Sequence, residues 1–183
     1  LFSFVIYMCS LSPIVQAQSA SHLSYQQLVI FGDSYSDNGN TYRISGDRYP
    51  NPKRYYRGHF SNGPTWSEYL ARDLKLNPAS PKQFANYAYG EAQALGAVTI
   101  CHEKVHHRDC FTIPSLSNEL DDYFNSAYVK PEQSLYVIFI GANDIFNYPA
   151  LTDQAATKMV KRIISAVDTS VQRLQSQKAK TIL

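Results

Sequence analysis

The sequence predicts an α/β domain built on a parallel sheet, because buried-strand patterns alternate along the chain with helical ones. Residues 28–31 and 135–140 are largely continuous apolar runs, which is typical of strands covered on both faces. Segments whose apolar residues recur at helical spacing follow them. Strand and helix in alternation, joined by right-handed crossovers, give a parallel sheet between helix layers.

Three helices are expected between and after these strands. The first begins near Pro64, because proline suits a first helical position, and the third covers residues 154–175. The predicted apolar stripes are Trp66, Leu70 and Leu74 in the first helix, Leu116, Leu120 and Phe124 in the second, and Ala156, Val160, Ile163, Val167, Val171 and Leu174 in the third. Residues 178–183 are expected to open a further strand.

Small and polar residues follow the predicted strands. Residues 32–35 (Gly-Asp-Ser-Tyr) place Ser34 directly after the first strand, and residues 141–144 (Gly-Ala-Asn-Asp) follow the second apolar run. Open α/β sheets bind ligands at the carboxyl ends of their strands. Any strand-to-loop junction favours such residues, so one such segment is weak evidence for a functional site. Several of them together are stronger evidence.

These segments resemble the conserved blocks of the SGNH/GDSL hydrolases. Residues 32–40 are similar to the first block, with Tyr35 in place of leucine, and residues 141–145 are similar to the third block. Residues 86–92 (Asn-Tyr-Ala-Tyr-Gly-Glu-Ala) resemble the second block, with Glu91 in place of a glycine. Residues 58–66 are similar to a segment of the lipase-type branch, with His59 in place of arginine.

The resemblance implies a flavodoxin-like three-layer sandwich and the hydrolysis of carboxylic esters, with no cofactor and no metal. Such a reaction needs a nucleophile and fixed donors for the oxyanion of a tetrahedral intermediate. By resemblance, Ser34 attacks and its own N–H is one donor. The Gly90 backbone N–H and the Asn143 side-chain amide are the other two donors. Glu91 would oppose the oxyanion unless its side chain points away.

The catalytic base of this family is a histidine in a late Asp-x-x-His block, which residues 1–183 do not contain. The five histidines present are His22, His59, His102, His106 and His107, and the resemblance assigns the base role to none of them. We therefore expect residues 18–183 to be the N-terminal part of a single hydrolase domain, C-terminally incomplete and inactive by itself.

Residues 1–17 resemble a signal peptide that has lost its positively charged start. Residues 1–11 form an apolar core, and Val15-Gln16-Ala17 supplies small residues for cleavage before Gln18. Pro13 and Gln16 interrupt the run well before the roughly 20 apolar residues that a spanning helix needs. The prediction is export to the periplasm or the exterior.

Two cysteines remain after removal of the signal, Cys101 and Cys110. A pair of cysteines in an exported protein favours a disulfide. A zinc site built from these cysteines with His106 and His107 is the alternative, although the spacing fits no common zinc pattern.

Composition limits the partners that are expected. A net charge of +2 is too small to indicate nucleic acid, and the expected partner is a small-molecule or lipid ester. Lipid esters are the first hypothesis, with or without acyl transfer to another alcohol. A carbohydrate or short-chain acyl esterase and a non-catalytic secreted binding domain are the alternatives. The loop tyrosines Tyr42, Tyr49, Tyr55 and Tyr56 either pack locally or make transient membrane-surface contact.

Overall fold

The computed structural model describes residues 24–104, 107–148 and 152–183. The predicted signal peptide and His106 lie outside these ranges. The strands are β1 (Gln27–Gly32), β2 (Phe84–Asn86), β3 (Val98–Lys104), β4 (His107–Ile113), β5 (Ser134–Phe139) and β6 (Thr181–Ile182). The helices are α1 (Asn40–Ile44), α2 (Trp66–Asp73), α3 (Leu116–Phe124), α4 (Ala142–Phe146) and α5 (Asp153–Ser176).

Four strands form one parallel sheet in the order β2-β1-β5-β6. Strand β1 lies inside it, and all six of its residues are buried. It pairs with β5 from Gln27 opposite Ser134 to Gly32 opposite Phe139. The predicted parallel sheet and the late strand near the end of the sequence are thus confirmed.

Helices cover both faces of the sheet, which confirms the three-layer α/β architecture. One face of β1 and β5 packs on α2, and the other face packs on α3 and α5. The first core cluster contains Leu28, Ile30, Leu135 and Val137 with Ala71 of α2. The second contains Val29, Phe31 and Tyr136 with Leu116, Leu120, Tyr123 and Leu174 of the two other helices.

Two residues of the predicted helix stripes, Trp66 and Val160, are exposed rather than buried. Helix α2 begins at Trp66, after an N-cap at Thr65 that forms a capping box with Glu68, and Trp66 is 37% exposed. Val160 is 43% exposed because only the C-terminal half of α5 reaches the core, where Leu174 is buried. Helical periodicity therefore predicts which residues lie on the same face of a helix. It does not predict how much of that face packs against another element.

The segment around the two cysteines is a two-stranded antiparallel ribbon of β3 and β4, which the sequence analysis did not predict. Cys101 lies opposite Cys110 in the ribbon, and the two are joined by a disulfide. This confirms the predicted pairing. It also removes the two sulfur ligands of the alternative zinc site.

Within the described ranges, no helix is both long and apolar enough to span a membrane.

Candidate active site

The three blocks that the sequence analysis singled out follow three neighbouring strands. Strands β2, β1 and β5 are adjacent and parallel, so their carboxyl ends meet at one edge of the sheet. The loops that begin there carry Ser34 after β1, Gly90 and Glu91 after β2, and Asn143 after β5. The fold thus brings the predicted site residues to the same edge.

The serine turn is fixed by its neighbours while Ser34 itself is left unengaged. The Asp33 carbonyl accepts hydrogen bonds from the N–H groups of Ser36 and Asp37 at 3.0 and 3.1 Å. Ser34 is partly buried, and neither its N–H nor its hydroxyl makes a hydrogen bond to any residue that the structure describes. Glycine is required at Gly32, because a Cβ there would lie 2.3 Å from the Phe139 carbonyl oxygen.

A fully buried carboxyl group lies behind this turn. Glu119 of α3 accepts the Gly32 N–H at 2.8 Å through Oε2, and its Oε1 has no hydrogen-bond partner among the described residues. Burial raises the pKa of Glu119 well above its ordinary value, with the charges of Asp37, Asp33 and Asp122 adding to the effect and the Gly32 N–H opposing it. Through its hydrogen bond with the Gly32 N–H, Glu119 supports the end of β1. This role of Glu119 is not visible in the sequence, where a glutamate between Leu116 and Leu120 suggests only the surface of a helix.

Asp37 ties the first block to the second. Its buried carboxylate accepts the N–H groups of Gly39 and Asn40 at 2.8 and 2.6 Å. The other oxygen accepts those of Thr41 at 3.1 Å and Gly90 at 2.8 Å. The Gly90 N–H, predicted to be an oxyanion donor, is thus already engaged by a carboxylate. What Gly90 provides is space, because a Cβ there would lie 2.1 Å from the Phe60 ring.

The next residue, Glu91, has the unengaged N–H of this turn. It adopts φ = 69°, a left-handed conformation that favours glycine, which explains why the resembling block has glycine here. No acceptor for its N–H occurs in the described part of the chain. Its carboxylate accepts a hydrogen bond from the Tyr49 hydroxyl at 2.8 Å.

The third block crosses to the second through two side chains. The Asn143 amide donates to the Ala92 carbonyl at 3.0 Å through one of the two hydrogens on Nδ2. The buried Asp144 carboxylate accepts the N–H groups of Ala94 and Leu95 at 2.8 and 3.0 Å. These bonds fix the start of α4, and with it the position of the Asn143 amide, relative to the second block.

Carboxyl groups surround the serine turn, and their effect is visible at Asp33. Burial is the main cause that raises the pKa of Asp33, and the charges of Glu91 and Asp144 raise it further. The hydrogen bond from the Tyr35 N–H opposes this shift. An oxyanion formed nearby would be opposed by the same charges, so donors aimed at it are essential.

His59 has a structural role in this arrangement. Its Nδ1 lies 2.7 Å from the Tyr56 carbonyl oxygen, and its Nε2 lies 3.1 Å from Glu68 Oε2. Burial lowers the pKa of His59, but the bonds to Glu68 and Tyr56 outweigh it and the net shift is upward. Burial also disfavours the charged Glu68, but the bonds from His59 and Thr65 prevail and lower its pKa. With both ring nitrogens occupied, His59 is not placed to act as a base for Ser34.

Aromatic side chains form an exposed group beside the serine. The ring of Tyr35, which is 63% exposed, lies 5.8 Å from that of Phe139, which is 51% exposed. The Trp66 ring also packs against Phe139, with ring centroids 6.4 Å apart. Here the exposure of Trp66, unexpected from its helix stripe, adds apolar surface next to the nucleophile turn.

Comparison with known proteins agrees with this geometry. The family of GDSL-like lipases/acylhydrolases matches residues 28–183. The chain is 31% identical over 181 residues to a phosphatidylcholine-sterol acyltransferase of Aeromonas hydrophila, covering 98% of this chain and 49% of the relative.

Two further relatives are more distant. A thermolabile hemolysin of Vibrio parahaemolyticus is 27% identical over 146 residues, covering 78% of this chain and 31% of the relative. A GDSL esterase/lipase of Arabidopsis thaliana is 22% identical over 192 residues, covering 92% and 52%. The chain thus spans about half or less of the length of these relatives. The three blocks at one sheet edge and the family match over residues 28–183 together establish that the chain belongs to the GDSL-like lipase/acylhydrolase family.

Proposed function

We propose that the protein is an exported serine hydrolase of lipid esters, and that residues 24–183 supply its nucleophile and oxyanion hole. The observation that carries the proposal is the convergence of Ser34 with unengaged donors at the carboxyl edge of β2, β1 and β5. In the reaction, Ser34 Oγ attacks the ester carbonyl carbon and its proton passes to a base. The base then protonates the departing alcohol, and water or a second alcohol takes the acyl group from the serine.

The unengaged groups decide which donors we assign to the oxyanion. We propose the N–H of Ser34, the N–H of Glu91 and the second amide hydrogen of Asn143. Glu91 takes the role that the sequence analysis gave to Gly90, because the Gly90 N–H already donates to Asp37 at 2.8 Å. Since the donor is a backbone group, glutamate can provide it in the left-handed conformation that glycine would adopt more readily.

The exposed rings of Tyr35, Phe139 and Trp66 support a lipid substrate. An apolar surface beside the nucleophile gains from contact with a long acyl chain, at about 0.8 kcal/mol for each CH₂ group that leaves water. The similarity to a phosphatidylcholine-sterol acyltransferase is consistent with this substrate class and with acyl transfer. The disulfide between Cys101 and Cys110 supports export, because such bonds persist in oxidising compartments.

The test is covalent labelling of the complete protein with a fluorophosphonate. Ser34→Ala should abolish both labelling and ester hydrolysis. Ser36→Ala is a matched control in the same turn, because the Ser36 hydroxyl is buried and makes no hydrogen bond to the described residues. Labelling that persists in Ser34→Ala, or that is lost in Ser36→Ala instead, would contradict the assignment of the nucleophile.

A second measurement tests the oxyanion donors. Asn143→Ala should lower kcat by about 10²–10³, the usual effect of losing one such donor. The Michaelis constant should change little, because the amide acts mainly on the transition state. A variant with unchanged kcat and a raised Michaelis constant would remove Asn143 from this role.

A further inference from the structure

Glu91 departs from the family pattern at a position where the backbone favours glycine. Its φ of 69° lies in the region where a side chain is disfavoured. The second block of the family has glycine at this position, which adopts such a φ without strain. Its carboxylate also lies close enough to Asp33 to raise the pKa of that group. A residue that is both strained and negatively charged, beside a proposed oxyanion hole, requires a partner.

The partner is the hydroxyl of Tyr49, which donates to Glu91 Oε1 at 2.8 Å. Burial, followed by the hydrogen bond to Glu91 and its charge, raises the pKa of Tyr49, so the hydroxyl keeps the proton that it donates. The bond joins residues 42 positions apart in the sequence. It links the long loop after α1 to the second block.

Aromatic packing holds Tyr49 in place. Its ring meets the Phe60 ring edge-on, with centroids 5.4 Å apart, and the Phe111 ring lies 6.3 Å away on its β4 strand. Phe60 in turn fills the space that a side chain at Gly90 would need. Tyr49 is therefore held by Phe111 of the disulfide-linked ribbon and by Phe60, which packs against Gly90, the neighbour of Glu91.

We propose that Tyr49 is a positioning residue for the oxyanion hole. By holding the Glu91 carboxylate, it keeps Glu91 in the left-handed conformation in which its backbone N–H is unengaged and available to the oxyanion. The Tyr49 hydroxyl also donates a hydrogen bond to the Glu91 carboxylate, which lies beside the proposed oxyanion hole. This inference rests on the proposed function. With glycine at position 91, no positioning residue would be needed.

A double-mutant cycle tests the proposal in the complete protein with a soluble ester. Tyr49→Phe keeps the ring packing and removes only the hydroxyl. We expect kcat to fall by about tenfold, less than the roughly 10²–10³ for complete loss of a donor, with the Michaelis constant nearly unchanged. In the Glu91→Gly background, where no side chain resists the backbone conformation, the same substitution should change kcat by a factor close to one.

Two further variants separate this role from a general structural effect. Tyr55→Phe is the matched control, because the Tyr55 ring also packs against Phe60, with centroids 5.9 Å apart, but its hydroxyl makes no hydrogen bond to the described residues. It should leave kcat unchanged. Glu91→Gln keeps an acceptor oxygen, so Tyr49→Phe should still lower kcat in that background.

The rate of Ser34 phosphonylation is measured alongside, because it can be read even where turnover is slow. Equal losses on Tyr49→Phe in the wild-type and Glu91→Gly backgrounds would overturn the proposal, since the hydroxyl would then act without the Glu91 side chain. No loss in the wild-type background would overturn it too. Failure of the wild-type protein to be phosphonylated at Ser34 would instead refute the proposed function itself.

Discussion

Asp37→Asn tests how the site is held together, because one carboxylate accepts four backbone N–H groups. Asparagine has one oxygen where aspartate has two, and its NH₂ group would face donors. Whichever oxygen is kept, two buried N–H groups lose their acceptor. A hydrogen bond to a charged group contributes about 1.5–3 kcal/mol, so the substitution should lower the free energy of unfolding by about 3–6 kcal/mol.

That loss is large beside the total stability of a domain, which is about 5–15 kcal/mol. The assay is urea unfolding followed by circular dichroism, with the dependence on denaturant compared between variants. Asp47→Asn is the matched control, because Asp47 is exposed at φ = 62°, a conformation that asparagine also tolerates. It should change stability by no more than about 0.5 kcal/mol. A loss below about 1 kcal/mol in Asp37→Asn would show that these bonds are not all formed in solution.

Three other predictions concern pH and the disulfide. His59→Gln should reduce stability by about 1.5–3 kcal/mol between pH 4.5 and 6.5. The difference from wild type should shrink as pH rises through the raised pKa of His59 or falls through the lowered pKa of Glu68; a difference independent of pH would refute the ion pair. Glu119→Gln, which cannot ionise, should gain stability relative to wild type by up to about 1.4 kcal/mol per pH unit above pH 4.5. Unfolding curves at several pH values measure both, and a constant Glu119→Gln difference would mean that the buried carboxyl is ionised. Reduction of Cys101–Cys110 should lower the free energy of unfolding by about 2–3 kcal/mol in the chain-entropy model. It should also change the rate of hydrolysis of long-chain esters more than that of small esters. Equal changes with both substrates would show that the ribbon does not influence the active site.

The sequence predicted the sheet because its strands are buried on both faces. The continuous apolar runs at residues 28–31 and 135–140 are too short for core helices and are typical of strands in a parallel sheet. Their position before Ser34 and Asn143 then predicted which loops would meet. The antiparallel ribbon was missed because all of residues 102–109 except Val105 are polar or charged, and such a run is equally typical of a loop.

The details of the site could not be predicted, because they depend on backbone conformation and on contacts between distant segments. Nothing in the sequence indicates that Asp37 reaches the Gly90 N–H, 53 positions away. The departure at Glu91 was visible as a glycine position occupied by a charge. Only its positive φ and the Tyr49 hydroxyl show how that charge is accommodated.

The hydrogen bonds between the blocks explain which backbone N–H groups remain available as oxyanion donors. Asp37 of the first block accepts the Gly90 N–H of the second block. Asp144 of the third block accepts the N–H groups of Ala94 and Leu95, which follow the second block in the sequence. Each bond fixes a turn and at the same time removes its N–H groups from catalysis. The N–H groups of Ser34 and Glu91 have no internal acceptor in the described chain, yet they lie in turns that their neighbours hold rigid. Donors that are both fixed and unengaged need no reorganisation when negative charge develops, which is the condition for strong stabilisation of an oxyanion.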